Sequence, residues 1–341
     1  MERVRHDKKI HTGQTFGAGS CIIRFMDKTN ETEEIENAGN DGAIEPAGEK
    51  TALVTIIGRP SAGKSTFLNT AAGEPVSIVS AVPQTTRNAI KGIVNTSLGQ
   101  LVFVDTPGWH DSDKKMNLRM RNIVSDQLDN SDLILYIIDG TRACAEEERL
   151  IAEMLGKHQE KLVIALNKTD EKNADIDGAK SFAKKMLPAV PDTRVIAISA
   201  KNDERINDVL RALYSLAPVA PHLYSEEFYT DQEVDFRIAE VIREQAMNRL
   251  DKELPHCIYV KIADMEMRTP TKMWCRAFLC VETESQKGIV IGKGAQMIKT
   301  IRVESIKSLR KIFDWKIELD LQVKVDKNWR QKDIVLDRLL K

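Results

Sequence analysis

Eight consecutive residues, Gly58-Arg59-Pro60-Ser61-Ala62-Gly63-Lys64-Ser65, have the types and spacing to hold a polyphosphate. Their two glycines let the backbone wrap close around an anion, so that several N–H groups and the positive end of a following helix face it. Lys64 would reach the β- and γ-phosphates, and Ser65 would hold Mg2+, with Thr66 next to it in the nucleotide site. The context fits. Val54-Thr55-Ile56-Ile57 before the loop has the short, β-branched, continuous pattern of a buried parallel strand, and Ser65 to Asn69 opens a helix.

Further chemistry follows in order along the chain. Asp105-Thr106-Pro107-Gly108 lies forty residues beyond Ser65 at the end of an apolar run. An aspartate leaving a strand there is placed to bind Mg2+ through a water, and the Gly108 N–H to sense a γ-phosphate. Asn167-Lys168-Thr169-Asp170 and Ser199-Ala200-Lys201 follow two later strands and select the base. A fixed Asp170 carboxylate accepts from the N1–H and N2–H2 edge of guanine, whereas adenine offers an acceptor at N1 and no amino group at C2. Two charge-assisted bonds of roughly 1.5 to 3 kcal/mol each favour GTP over ATP by about two to four powers of ten. The Lys168 and Lys201 stems would cover the two sides of the base, and the Ala200 N–H would reach the guanine O6. Between the first helix and the second strand, Val82-Pro83-Gln84-Thr85-Thr86-Arg87 reads as a switch: a threonine there would complete the Mg2+ shell beside a γ-phosphate and release it after hydrolysis. Thr85 and Thr86 both qualify; Thr86 is taken as the ligand.

The elements that must position these residues alternate. From Thr51 to about Leu216, strand patterns at Val54–Ile57, 89–94, 101–105, 133–139, 162–167 and 194–199 are separated by helical stretches, except for a hairpin around Asn95–Gly99 too short for a parallel crossover. The fold class is α/β, a mostly parallel doubly wound domain with one antiparallel edge, whose ligands bind at the carboxyl ends of the strands. Residues 217–226, with Pro218 and Pro221, form a linker. A smaller α+β domain follows over 227–341. It has a helix from Asp231 to Leu250, strands at 257–262 and 276–282, a glycine loop, a basic helix from Ala295 to about Ile312 and a last strand at 315–325.

The 341 residues are 42% hydrophobic with a net charge of −1, enough for two cored domains. No apolar run approaches the ~18 residues that span a bilayer, and the N-terminus lacks a secretory h-region, so a cytoplasmic location is expected. Five scattered cysteines without C-x-x-C are expected to be reduced thiols. Residues 1–50 are expected to be disordered, with eight acidic residues and one lysine between Asp27 and Glu49 and an alternative translation start at Met26. From Lys272 to Lys332, by contrast, 14 basic residues face 7 acidic ones, which suits an anionic partner.

Taken together, G-R-P-S-A-G-K-S-T, P-Q-T-T-R, D-T-P-G-W, N-K-T-D and S-A-K resemble the bacterial Era family of P-loop GTPases. Tyr229-Thr230-Asp231, Ile242-Arg243-Glu244, Glu253-Leu254-Pro255 and Val290 to Ile301 resemble its C-terminal type II KH domain. The resemblance runs from about Thr51 to Lys341. It implies GTP hydrolysis to GDP with Mg2+, binding of the small-subunit (16S) ribosomal RNA near its 3′ end, a role in 30S subunit assembly, a monomer, and peripheral contact with the inner membrane. An Era-like GTPase acting in tRNA modification or membrane transport, and a GTP-liganded RNA-binding module with negligible hydrolysis, are the alternatives. In KH modules the glycine loop grips about four nucleotides beside an apolar groove. Gly292-Lys293-Gly294-Ala295 would be that loop, with Lys299 and Arg302 adding charge and Ile291 and Ile298 lining the groove.

Three positions depart from the family pattern. Ala295 stands where KH loops have glycine, and a methyl there would weaken RNA binding if the backbone needs positive φ. Ser61 replaces an asparagine linked in related GTPases to K+, so potassium stimulation is not expected. Trp109 stands where Ras-type enzymes place the water-orienting glutamine. An indole cannot orient that water, so intrinsic hydrolysis is expected to be slow and Trp109→Ala to keep turnover within roughly tenfold; a loss of roughly a thousandfold in single-turnover assays at unchanged nucleotide affinity would contradict this.

Overall fold

The computed structural model describes residues 48–80, 82–83, 85–108 and 115–340. Trp109, Gln84, the Met26 start and all but the last three residues of the N-terminal segment lie outside the described residues. The first domain runs β1 (Lys50–Ile57), α1 (Lys64–Ala72), β2 (Ile90–Thr96), β3 (Gly99–Asp105), α2 (Lys115–Asn130), β4 (Leu133–Asp139) and α3 (Glu146–Leu155). It continues with β5 (Leu162–Asn167), α4 (Ile176–Met186), β6 (Val195–Ile198) and α5 (Ile206–Leu216).

These strands form one sheet in the order β2-β3-β1-β4-β5-β6, parallel throughout except for the β2–β3 hairpin. The doubly wound reading holds, antiparallel edge included. Burial on both faces explains the unbroken apolar runs: along β4, Leu133, Leu135 and Ile137 enter the core under α1 and α5, while Ile134, Tyr136 and Ile138 enter the core under α2, α3 and α4. Phe67 of α1 meets Phe103 of β3 edge-on at 5.7 Å, both rings fully buried, each contributing about 1.5 to 3 kcal/mol of apolar burial. The five parallel strands therefore end at the same edge, and the loops that carry chemistry emerge together there.

The stretch expected as a linker is a strap on this domain. Thr51 N–H donates to the Pro218 carbonyl and Ala220 N–H to that of Glu49, while Gln100 Oε1 accepts from both Leu223 and Tyr224 N–H. Such pairing satisfies the backbone at the start of β1, which β4 pairs only from Val54 onward.

The second domain contains α6 (Val234–Met247), α7 (Leu254–Cys257), β7 (Tyr259–Thr269), β8 (Lys272–Val281), α8 (Glu284–Ile291), α9 (Gln296–Ile312), β9 (Lys316–Val325) and α10 (Asp333–Leu339). Its sheet is β7-β8-β9, antiparallel then parallel. Ile238 and Ile242 of α6 and Ile301 and Leu309 of α9 share a core with Cys275, Ala277 and Leu279 of β8. Cys275 and Cys280 are buried thiols, as expected of small core hydrophobes.

Three elements differ from the sequence expectation. The hairpin β7–β8 continues to Thr269 and Lys272, far beyond the expected strand ends: past Val260, β7 carries no buried residue to mark it, whereas β8 alternates out to Met273, a signal the sequence reading passed over. Helix α8, absent from the sequence expectation, stands between β8 and the glycine loop, and Ile291 is its last residue. Helix α10, seven residues long and too short for a periodic signal, packs Leu336 beside Trp329, which is 0% exposed. Among the described residues no helix is long and apolar enough to cross a membrane.

Candidate functional site

A cavity of about 630 Å3 opens at the carboxyl edge of the large sheet, lined at one end by Ser61, Gly63, Lys64, Ser65 and Gly108 and at the other by Lys168, Asp170, Ala200 and Lys201. The two ends are those that the sequence assigned to phosphate and to base. Gly63 caps α1 with φ 99°, left-handed backbone that suits glycine, and a Cβ there would lie 2.2 Å from Asn167 Nδ2. Asn167 joins the two ends: its Nδ2 donates to the Ala62 carbonyl at 2.8 Å, and its Oδ1 accepts the Ala200 N–H at 3.0 Å. The Ala200 N–H therefore bonds Asn167 here, and it reaches guanine O6 only by sharing or giving up that bond.

At the phosphate end, Lys64 donates to the Gly58 and Arg59 carbonyls at 3.1 and 3.0 Å. Burial pushes its pKa down, against the pull of Asp105 and Glu148. Asp105 is 0% exposed at the tip of β3, and its Oδ2 accepts from Ser65 Oγ at 2.6 Å and Ser77 Oγ at 2.7 Å, with Thr86 Oγ1 at 3.4 Å. Burial pushes this carboxyl up, against Lys64 and the hydroxyl donors. Ser65 Oγ and Thr86 Oγ1 are 3.0 Å apart, and Asp105 Oδ1 is buried without a hydrogen-bond partner. Two hydroxyl oxygens and an orphaned carboxylate oxygen, all hard donors, fit Mg2+. Both pKa shifts have the sign that a neighbouring phosphate and cation would cancel. Thr85 turns away and donates to the Val82 carbonyl at 2.7 Å, so the geometry favours Thr86 of the two candidates.

Several residues of the loops act indirectly. The Arg59 guanidinium points out of the cavity to Glu148 at 2.6 Å and the Ala143 carbonyl at 3.2 Å, leaving only its backbone for the phosphate loop. Tyr136 also donates to Glu148. Thr106 Oγ1 donates to the Ile56 carbonyl at 2.7 Å, and Pro107 is buried. Gly108 packs so closely on Pro60 that a Cβ would lie 2.8 Å from its Cα. At the base end, Ser199 Oγ donates to Asp170 Oδ1 at 2.7 Å and orients the carboxylate rather than facing the base. The Thr169 N–H bonds the Ile198 carbonyl at 3.2 Å and fixes the turn.

The glycine loop of the second domain is built as a left-handed turn. Gly292, Gly294 and Ala295 have φ of 73°, 59° and 58°, and α9 starts directly after Ala295. Lys293, Lys299 and Arg302 are exposed, with Arg302 reaching the Leu319 carbonyl on edge strand β9 at 3.5 Å, and Ile291 and Ile298 are half-buried beside the loop. Ile289, 55% exposed on α8, is an apolar residue here that sequence reasoning missed. The signal was present: Thr283 and Gln286 form a capping box, Thr283 Oγ1 accepting the Gln286 N–H at 3.2 Å, which marks a helix start before Ile289.

Arg87 was also missed. Next to Thr86, it leaves the cavity and donates to the Ile258 carbonyl of the second domain at 2.8 Å, lying 5.5 Å over the Trp329 ring. Burial first, and the Arg243 charge second, pull its pKa down to about 9. The same segment is held by a bond from Val79 N–H to Glu244 Oε1 at 2.9 Å, and on the other flank Arg119 of α2 pairs with Asp333 at 2.6 Å.

Comparison with known proteins agrees with this division. Residues 53–168 match the family described as 50S ribosome-binding GTPase, and residues 253–330 match the KH domain family. The GTPase Era of Treponema denticola is 54% identical over 288 residues, covering 84% of this chain and 98% of the relative. The chain belongs to the Era family. Era of Borreliella afzelii is 41% identical over 291 residues, covering 85% and 99%. A crystal structure of Era in complex with MgGDPNP and nucleotides 1506–1542 of 16S ribosomal RNA superposes with a TM-score of 0.80 at 28% identity, covering 85% of this chain and 98% of that one. An Aquifex aeolicus Era variant bound to GDP and AlF4− gives 0.80 at 29%. Like its relatives, this Era-family chain is a GTPase.

Two substitutions test the geometry. Asp170→Asn removes the negative acceptor and should weaken GDP binding by roughly a hundredfold in fluorescence titration, the loss of two charge-assisted bonds. Ala295→Gly relieves an alanine held at φ 58° and should stabilise the fold by about 1 kcal/mol, read as a rise in melting temperature, with RNA affinity equal or tighter.

Proposed function

We propose that this chain is a GTP-hydrolysing molecular switch that binds small-subunit ribosomal RNA near its 3′ end through the KH domain and assists 30S assembly. The whole-chain likeness to Era bound to MgGDPNP and 16S nucleotides 1506–1542 carries this reading, since it spans both domains together. The chemistry of the site supports it. In the proposed complex, the phosphate loop and Lys64 hold the β- and γ-phosphates, and Gly108 N–H meets the γ-phosphate. Ser65, Thr86 and Asp105 are the residues that would hold Mg2+, which neutralises charge developing on the phosphate oxygens. Asp170 reads the guanine edge between the stems of Lys168 and Lys201.

The RNA clamp would use the loop from Gly292 to Ala295 with Lys293, Lys299 and Arg302, while Ile291 and Ile298 supply the apolar side of the groove. A switch reading is supported by Thr86 and Arg87, adjacent residues that face the metal ligands and the KH domain respectively. A monomeric, cytoplasmic protein with peripheral contact at the inner membrane belongs to the same proposal, on the family resemblance alone.

The full chain with Mg·GDPNP should bind the 3′-terminal segment of small-subunit rRNA at least roughly tenfold more tightly than a scrambled RNA of equal composition, with both affinities falling as salt rises. Equal, salt-sensitive binding to both RNAs would reduce the second domain to a basic surface.

A further inference from the structure

β4 ends in a carboxylate that no motif of the sequence singles out. Asp139 is 1% exposed and stands beside Asn167 in the β4–β5 register. Its Oδ2 accepts Lys168 Nζ at 2.6 Å; its Oδ1 accepts the Thr141 N–H at 3.0 Å and the Thr141 hydroxyl at 2.7 Å. Burial opposes its charge, but the Lys168 and Thr141 bonds outweigh it and hold the carboxyl below its usual range.

Lys168 needs such a partner. It is a non-glycine residue at φ 72°, in the turn between Asn167 and Asp170, and its side chain lines the base end of the cavity together with Thr141 and Asp170. A lysine with four rotatable bonds and a strongly hydrated ammonium otherwise samples solvent, losing about 2 kcal/mol of rotamer freedom when it is ordered. Here both ends of the stem are fixed, the Cα by the turn and the Nζ by a buried carboxylate on a neighbouring strand. The four methylenes between them form a preset apolar strip at the base end.

We propose that Asp139 is a positioning residue for guanine: it holds Lys168 stretched across the base site, so that the purine meets an already ordered wall. The proposal rests on the reading of Lys168 as one side of the base site. Asp139 itself touches no nucleotide atom. Its effect is on purine nucleotides as such, whereas Asp170 discriminates by the N2 amino group. Loss of Asp139 therefore weakens GTP and inosine triphosphate by the same factor.

The test is a thermodynamic cycle on the full chain with Asp139→Asn, Lys168→Met and the double variant, measuring GDP, GTP and inosine triphosphate affinities and the GDP dissociation rate. Asparagine keeps the size of the side chain and an oxygen for Thr141, and removes the charge that holds Lys168. The expected results are a roughly tenfold loss of affinity in Asp139→Asn, a faster GDP off-rate, an unchanged ratio of GTP to inosine triphosphate, and a double variant no weaker than Lys168→Met. Affinity within twofold of the parent chain, full additivity with Lys168→Met, or a changed nucleotide ratio would each overturn the role of Asp139. If Lys168→Met binds like the parent chain, the wall itself is wrong and Asp139 falls with it.

Discussion

A carboxylate shut away from water has to be met by donors or by a cation, and Asp105 is met by hydroxyls from three segments. Ser65 begins α1, Ser77 follows it, and Thr86 lies on the segment leading to β2. One fully buried group therefore registers the phosphate loop, the switch and the end of β3 against one another. Its second oxygen is left over, and a buried anion with a spare lone pair beside a desolvated Lys64 is a site prepared for charge. The doubly wound sheet matters here because it delivers every one of these loops to the same edge.

The consequences of that register extend to the second domain. Thr86 faces Ser65, while Arg87, one residue on, is inserted between Ile258 and Trp329. The two side chains are adjacent in sequence and bonded to different domains, which makes this segment the place where a nucleotide-dependent shift of Thr86 would reach the second domain. Val79 and Arg119 hold the flanks of the same interface through Glu244 and Asp333. An account in which nucleotide state reaches the KH domain needs a contiguous element of this kind, responsive at both ends.

The large domain was legible because its strands are buried on both faces and its motifs sit at their ends: Val54 to Ile57, the hairpin at Asn95 to Gly99, and the loops at Lys64, Asp105 and Asp170 all stand where their residue types imply. Bonds made at long sequence separation were not legible. Nothing near Arg59 announces Glu148, nothing near Ser199 or Lys168 announces Asp170 or Asp139, and nothing near Ala200 announces that Asn167 accepts its N–H. In the second domain the missed elements were short or solvated. Helix α10 is seven residues long, and past Val260 strand β7 carries no buried residue. Ala295 was a doubt that φ could decide, and its left-handed conformation shows what the loop demands.

Coupling between the two domains is the central claim, and the most direct measurement is RNA affinity as a function of nucleotide state in the parent chain and in Arg87→Ala. Binding of the 3′-terminal rRNA segment should differ by roughly tenfold between Mg·GDPNP and Mg·GDP in the parent chain, and by less than about twofold in Arg87→Ala at unchanged GDPNP affinity. A nucleotide dependence that survives Arg87→Ala intact would contradict the account.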